Sequence, residues 1–219
     1  MTTHALVLAT KNRGKIEELR ALLRGLDIQV LGLGDVIQRP FDVVEDGATF
    51  EANALKKARA VAAATTMLTL ADDSGLEVDV LGGAPGVRSA RYAAEKATDA
   101  QNNDALVAAL MAHATVGGRG PYKARFRCVL ALVDPFVKNG EPFVVDGTCE
   151  GTITTQPRGT NGFGYDPLFV ASGSEKTMAE LSDDEKNRIS HRAQAFAKMR
   201  LVIEKVLAER DEAIRKVCG

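Results

Sequence analysis

Two adjacent carboxylates, Asp72 and Asp73, close the apolar run 67–71 and are followed at once by Ser74 and Gly75. Side chains of this kind accept protons and coordinate hard cations. The apolar run reads as a short buried strand, which predicts the acids at a strand's C-terminal end. In open α/β sheets that edge binds ligands, because loops and helix N-termini converge there. A second alternating run, Leu76, Val78 and Val80 with Glu77 and Asp79 between them, is expected to turn back from the acids towards the glycine-rich segment 82–86. The same letters also fit a plain surface turn, since Asp, Ser and Gly are turn formers.

Three other segments carry polar groups in suggestive order. TKNRGK, residues 10–15, follows an apolar run and precedes a helical pattern, so Thr10, Lys11, Asn12, Arg13, Gly14 and Lys15 gather at a helix N-terminus. Orphan amides and cations together suit a polyphosphate. The segment is not a Walker A loop, because Ile16 stands where Ser or Thr would hold magnesium. An ordinary strand-to-helix turn is the alternative. RGTNGFGYDP, residues 158–167, sets three glycines around Phe163 and Tyr165, beside Asp166. Its backbone can approach a flat ligand and offer an aromatic face for stacking, or form a glycine-rich turn without any ligand. In SDDEKNRISHR, residues 182–192, a capping box at Ser182 and Glu185 starts a short helix, and Lys186, Ser190, His191 and Arg192 follow. His191 reads either as a structural histidine or, with Arg192, as a donor to a carbonyl-bearing ring.

The elements that must position these groups alternate between strand and helix. Residues 4–10 form a continuous apolar strand of parallel type. Ile16, Leu19, Leu22, Leu23 and Leu26 then recur at helical spacing, with Glu17 and Glu18 expected in the first turn. A second strand over 28–31 leads to Glu45 and Asp46. Asp46 is the expected N-cap of an alanine-rich helix over 48–64. Lys57 lies on that helix's apolar stripe with Phe50, Ala54 and Val61, and is expected to snorkel to solvent or, alternatively, to point into an anion pocket. A helix over 99–114 buries Leu106, Val107, Leu110 and Met111, and residues 117–121 break the chain. A long strand over 124–133 follows. Asn139-Gly140 signals a hairpin into strands at 142–145 and 148–153, and a long helix closes the chain.

Composition excludes several classes. A chain of 219 residues with 45% hydrophobic and 26% charged residues can bury a full core. The net charge of -1 argues against coating nucleic acid or membranes. No apolar run approaches the roughly 20 residues of a membrane span. The N-terminus lacks a signal-peptide pattern, and three cysteines without metal-ligand spacing suit a reducing cytoplasm. No repeat or linker divides the chain. A helix-rich middle and strand-rich second half suggest two lobes of one domain over 1–219, with a cleft between them.

Taken together, TKNRGK, TFEANALKKA, ADDSGLEVDVLGGAPGVRSARY, ARFRCVLALV, GTNGFGYDPLF and SDDEKNRISHR resemble the inosine triphosphate pyrophosphatase family in order and spacing across nearly the whole chain. Asn161 stands where the family often has glycine. The resemblance implies an elongated, two-lobed α/β fold with a central mixed sheet flanked by helices, a deep cleft, and a homodimer. It implies hydrolysis of ITP, dITP and XTP to the monophosphate and pyrophosphate, with Mg2+ as cofactor. Asp73 would be the proton acceptor and a metal ligand, with Glu45 as a second ligand. Thr10, Asn12, Lys15 and Lys57 would hold the triphosphate, with Lys11, Arg13 and Gly14 in the same loop. Ser74, Phe163, Gly164, Tyr165, Asp166, Lys186, His191 and Arg192 would surround the nucleoside. A pyrophosphatase for pyrimidine or modified nucleotides and a non-catalytic nucleotide sensor are the competing readings. The sensor accounts less well for the acids, because a triphosphate binder gains nothing from extra carboxylates unless they hold metal.

Overall fold

The computed structural model describes residues 4–115, 120–136 and 141–218. In chain order they form β1 (His4–Leu8), α1 (Arg13–Leu22), β2 (Ile28–Gly32), α2 (Leu33–Val36), α3 (Phe50–Thr65), β3 (Leu68–Val78), α4 (Asp99–Thr115), β4 (Tyr122–Val133), β5 (Phe143–Ile153), β6 (Phe169–Ala171), α5 (Asp183–Ile189) and α6 (His191–Cys218). The six strands make one mixed sheet in the order β2-β1-β3-β4-β5-β6. β1 is parallel to both β2 and β3, and β6 is antiparallel to β5. The chain thus starts as a doubly wound unit: β1 has β2 on one side and β3 on the other. Right-handed crossovers then assign α1 and α3 to opposite faces of the sheet.

Asp72 and Asp73 do not end a strand. β3 runs unbroken through them for 11 residues, and nothing turns back at Leu76. The turn preference of Asp-Ser-Gly is local and weak. It yields here to the tertiary setting, in which lysines neutralise both carboxylates. The acids nevertheless lie beyond the carboxyl end of β1. Leu8, the last residue of β1, sits opposite Leu70, so β3 outruns its parallel partner at the position of the acids. After β3 the chain enters a 3-10 turn, where Val80 is exposed rather than buried.

Helix ends show where local patterning succeeds and where it fails. Asn12 caps α1 by accepting from the Lys15 amide at 3.0 Å, and Ser182 with Glu185 forms the expected capping box of α5. Glu17 and Glu18 fall just past the first turn of α1, because the helix starts at Arg13. Thr49, not Asp46, caps α3: its hydroxyl accepts from the Ala52 amide, while Asp46 pairs with Lys56 at 2.6 Å. Met111 lies on the exposed side of α4, whereas Leu106 and Leu110 are buried. One strand, β5, replaces the two expected, because the ladder continues through Asp146-Gly147. The hairpin signal at Asn139-Gly140 and residues 117–119 of the expected chain break lie outside the described residues.

The chain forms two compact units of interleaved segments rather than successive halves. The first takes the described residues within 1–73, 129–146 and 195–219, and the second takes 74–128 and 147–194. Leu6, Leu8, Leu19, Leu68, Leu70, Met199 and Ile203 are buried in the first. The core of the second joins Leu76, Leu106, Leu110, Phe126, Tyr165, Leu168, Phe169 and Met178. Cys128 and Cys149 are buried and not joined in a disulfide, and burial pushes the Cys149 thiol up to about 11.

Candidate active site

In the first unit, two lysines meet three carboxylates at the end of β1. Successive strand residues point to opposite faces, so Asp72 and Asp73 draw their cations from different helices. The ammonium of Lys15, in the first turn of α1, contacts Asp72. That of Lys57, on α3, lies 3.0 Å from Asp73 and 2.9 Å from Glu45. Lys57 is therefore buried and ion-paired, not extended to solvent. Removing Asp72 and Asp73 from water carries a large penalty unless each charge is matched and hydrogen-bonded, and here both are. Burial by itself would lower the Lys57 pKa, but Asp73, Glu45 and Asp72 outweigh it and raise it. Burial holds the Asp73 carboxyl above the usual aspartate value despite Lys57 and Lys15. Burial acts the same way on Glu45, but there the attraction of Lys57 prevails and lowers the pKa.

The donor set of this cluster fits a hard divalent cation. Glu45 and Asp73 present carboxylate oxygens across one ammonium, and with Asp72 the cluster holds three negative side chains against the two lysines. Magnesium takes one or two carboxylates and completes its shell with water and substrate phosphates. Among the described residues no group of three or more His, Cys, Asp or Glu side chains is placed to hold a metal ion by itself. The other members of the 10–15 loop are arranged around the helix start. Thr10 Oγ1 accepts from the Asn12 amide at 3.2 Å, Lys11 is exposed beside Asp42, and Arg13 is exposed.

In the second unit, the loop carrying Phe163 is built on Asp166. One oxygen of Asp166 accepts from the Phe163 amide at 2.9 Å and from the Lys186 ammonium at 2.6 Å. Gly162 makes this possible: its φ is +74°, and a Cβ there would collide with the Asp166 carboxylate. Lys186 and Arg192 both lie over the Phe163 ring, at 4.9 and 5.6 Å from its centroid. Arg192 is almost completely buried and donates to the Ser74 hydroxyl at 2.9 Å. His191, the first residue of α6, stacks on Phe126 with centroids 4.8 Å apart. Tyr165 is packed in the core, where its hydroxyl donates to the Ser89 carbonyl at 2.8 Å, so Phe163 is the ring placed beside the cations.

Several residues that motif reading passes over complete these groups. Asn53 donates to Asp73 from α3. Asp99 and Asn103, one turn apart at the start of α4, grip the Gly164 peptide from both sides: Asp99 accepts from its N–H at 2.7 Å, and Asn103 donates to its carbonyl at 3.0 Å. The available signal was i, i+4 spacing, Asn53 with Lys57 and Asp99 with Asn103, which sets two polar groups on one helix face.

Known proteins share this frame. The model of the Ham1 family matches residues 6–202. A dITP/XTP pyrophosphatase of Syntrophobacter fumaroxidans is 47% identical, with the match covering 98% of this chain and 90% of that protein. One from Geobacter sulfurreducens is 48% identical, covering 88% of this chain and 92% of the other. Among solved structures, a HAM1 protein from Coxiella burnetii superposes with a TM-score of 0.81 at 41% identity, covering 93% of this chain and all of that one.

Proposed function

Because this chain belongs to the Ham1 family, we propose that it hydrolyses noncanonical purine nucleoside triphosphates, ITP, dITP and XTP, to the monophosphate and pyrophosphate. The observation that carries the reading is the cluster of Lys15, Lys57, Glu45, Asp72 and Asp73 beyond the end of β1, in which Lys57 and both aspartates are buried. It combines cations for phosphates with carboxylates that a phosphate-binding protein alone has no use for.

In this reading the amides at the start of α1, with Thr10, Asn12 and Lys15, hold the phosphates, and Lys57 adds a second point charge. Asp73 orients the attacking water and takes its proton as the water oxygen bonds to the α-phosphorus. The bond from the α-phosphorus to the bridging oxygen breaks, and pyrophosphate leaves. Charge developing on the leaving group is stabilised by the lysines. Glu45 and Asp73 would hold a divalent ion, magnesium by preference, which supplies charge neutralisation on the phosphates. Phe163 stacks on the base. Arg192 can only donate, so it suits the C6 carbonyl of hypoxanthine or xanthine and opposes the adenine amino group. The reading extends to residues 1–219 working as one catalytic domain, and to a homodimer in the cytoplasm. Among the described residues, no helix is long and apolar enough to cross a membrane.

The test is a product assay with magnesium and a panel of ITP, dITP, XTP, ATP, GTP and pyrimidine triphosphates. Monophosphate and pyrophosphate from the first three, with poor use of ATP and GTP, is expected. Diphosphate with phosphate as products, or equal use of ATP, would overturn the reading. Pyrimidine preference would indicate the other pyrophosphatase class, and binding without turnover a sensor.

A further inference from the structure

We propose that Asn53 is a positioning residue that sets the plane of the Asp73 carboxylate and ties it to the loop bearing Glu45. Asn53 is fully buried on α3, one turn before Lys57. Its amide nitrogen donates to Asp73 Oδ2 at 3.2 Å, while Lys57 donates to Asp73 Oδ1 at 3.0 Å. Each oxygen of the carboxylate is thus held by a different donor from one helix face, so the group cannot rotate without losing one of them. The other end of the Asn53 amide accepts from the backbone N–H of Gly47 at 2.8 Å, two residues after Glu45. The two partners dictate which way the amide points, because a backbone N–H only donates and an ionised carboxylate only accepts. Gly47 is fitted to this contact: a Cβ there would come within 2.6 Å of Asn53 Oδ1 and 2.9 Å of the Ala52 Cβ. One buried side chain therefore couples the proposed base to the segment that supplies the second carboxylate.

This inference rests on the reading of Asp73 as the proton acceptor, so Asp73→Asn is assayed in parallel. A misaligned reacting group costs up to about 10²-fold in rate. Asn53→Ala is therefore expected to lower kcat for ITP by about 10- to 100-fold, with KM within about threefold of wild type, at a temperature where circular dichroism shows it folded. Asn53→Asp keeps the acceptor for the Gly47 N–H but removes the donor to Asp73 and sets a like charge against it; kcat should fall at least as far. Gly47→Ala deletes no hydrogen bond and displaces Asn53 from the loop side, so it decides the matter if either Asn53 variant fails to fold. Its kcat should fall while KM holds. A folded variant of either residue with kcat within twofold of wild type overturns the proposal, as does a rise in KM that accounts for the whole loss. If Asp73→Asn itself keeps full turnover, the underlying reading fails instead.

Discussion

Lys57 sits on a helix stripe where Ala54, Ala58 and Val61 are all buried, and it is buried with them. A lysine in that setting is stable only because Asp73 and Glu45 repay its desolvation, and the carboxylates are stable there for the reciprocal reason. Arg192 is likewise buried in the second unit, where it donates to Ser74 and lies over the Phe163 ring. If its guanidinium faces C6 of the base, adenine sets donor against donor, which costs about 1–3 kcal/mol. Arg192→Ala should therefore narrow the ratio of kcat/KM for ITP over ATP by about tenfold or more, chiefly by losing ITP activity. An unchanged ratio in a folded variant would remove Arg192 from base recognition.

At the scale of elements, β4 and α6 are joined by one bidentate pair. Asp134, just after β4, accepts from Arg210 of α6 at 2.6 and 2.8 Å and from the Phe136 amide at 2.9 Å, and the Arg210 guanidinium lies over the Phe136 ring. Burial alone would raise the Asp134 pKa, but the Arg210 and Phe136 hydrogen bonds and the Arg210 charge outweigh it and hold it below the ordinary value. A carboxyl depressed in the folded state contributes stability that is complete above its unfolded pKa of about 3.9 and is lost as pH falls through the folded value. Asp134→Asn should cost about 1–3 kcal/mol in urea unfolding at pH 7, with the difference from wild type shrinking below about pH 4. A difference that grows on acidification would contradict the assignment. β3 teaches the complementary lesson. Its Asp-Ser-Gly letters are turn signals on their own, and with counter-charges from α1 and α3 the strand continues through them.

For the molecule as a whole, the proposed metal dependence separates chemistry from folding. The carboxylates of the cluster already have lysine partners, so the fold has no need of a cation to neutralise them. Treatment with a chelator should abolish turnover and leave the melting temperature within about 2 °C, and added magnesium should restore activity. A large fall in melting temperature on chelation would instead mark a structural ion. Much of this protein was legible in its sequence: the α/β alternation, the helix start next to residues 10–15, the Ser182 capping box and the family. These are local or ordered along the chain, set by side-chain period, capping chemistry and motif order. Tertiary structure alone decided that β3 continues through its acids, that Lys57 is buried between Asp73 and Glu45, and that Asn53 spans the Asp73 carboxylate and the Gly47 amide. Whether a buried charge or amide is tolerable depends on partners 12 to 20 residues away in the chain, and only the fold brings those partners within hydrogen-bonding distance.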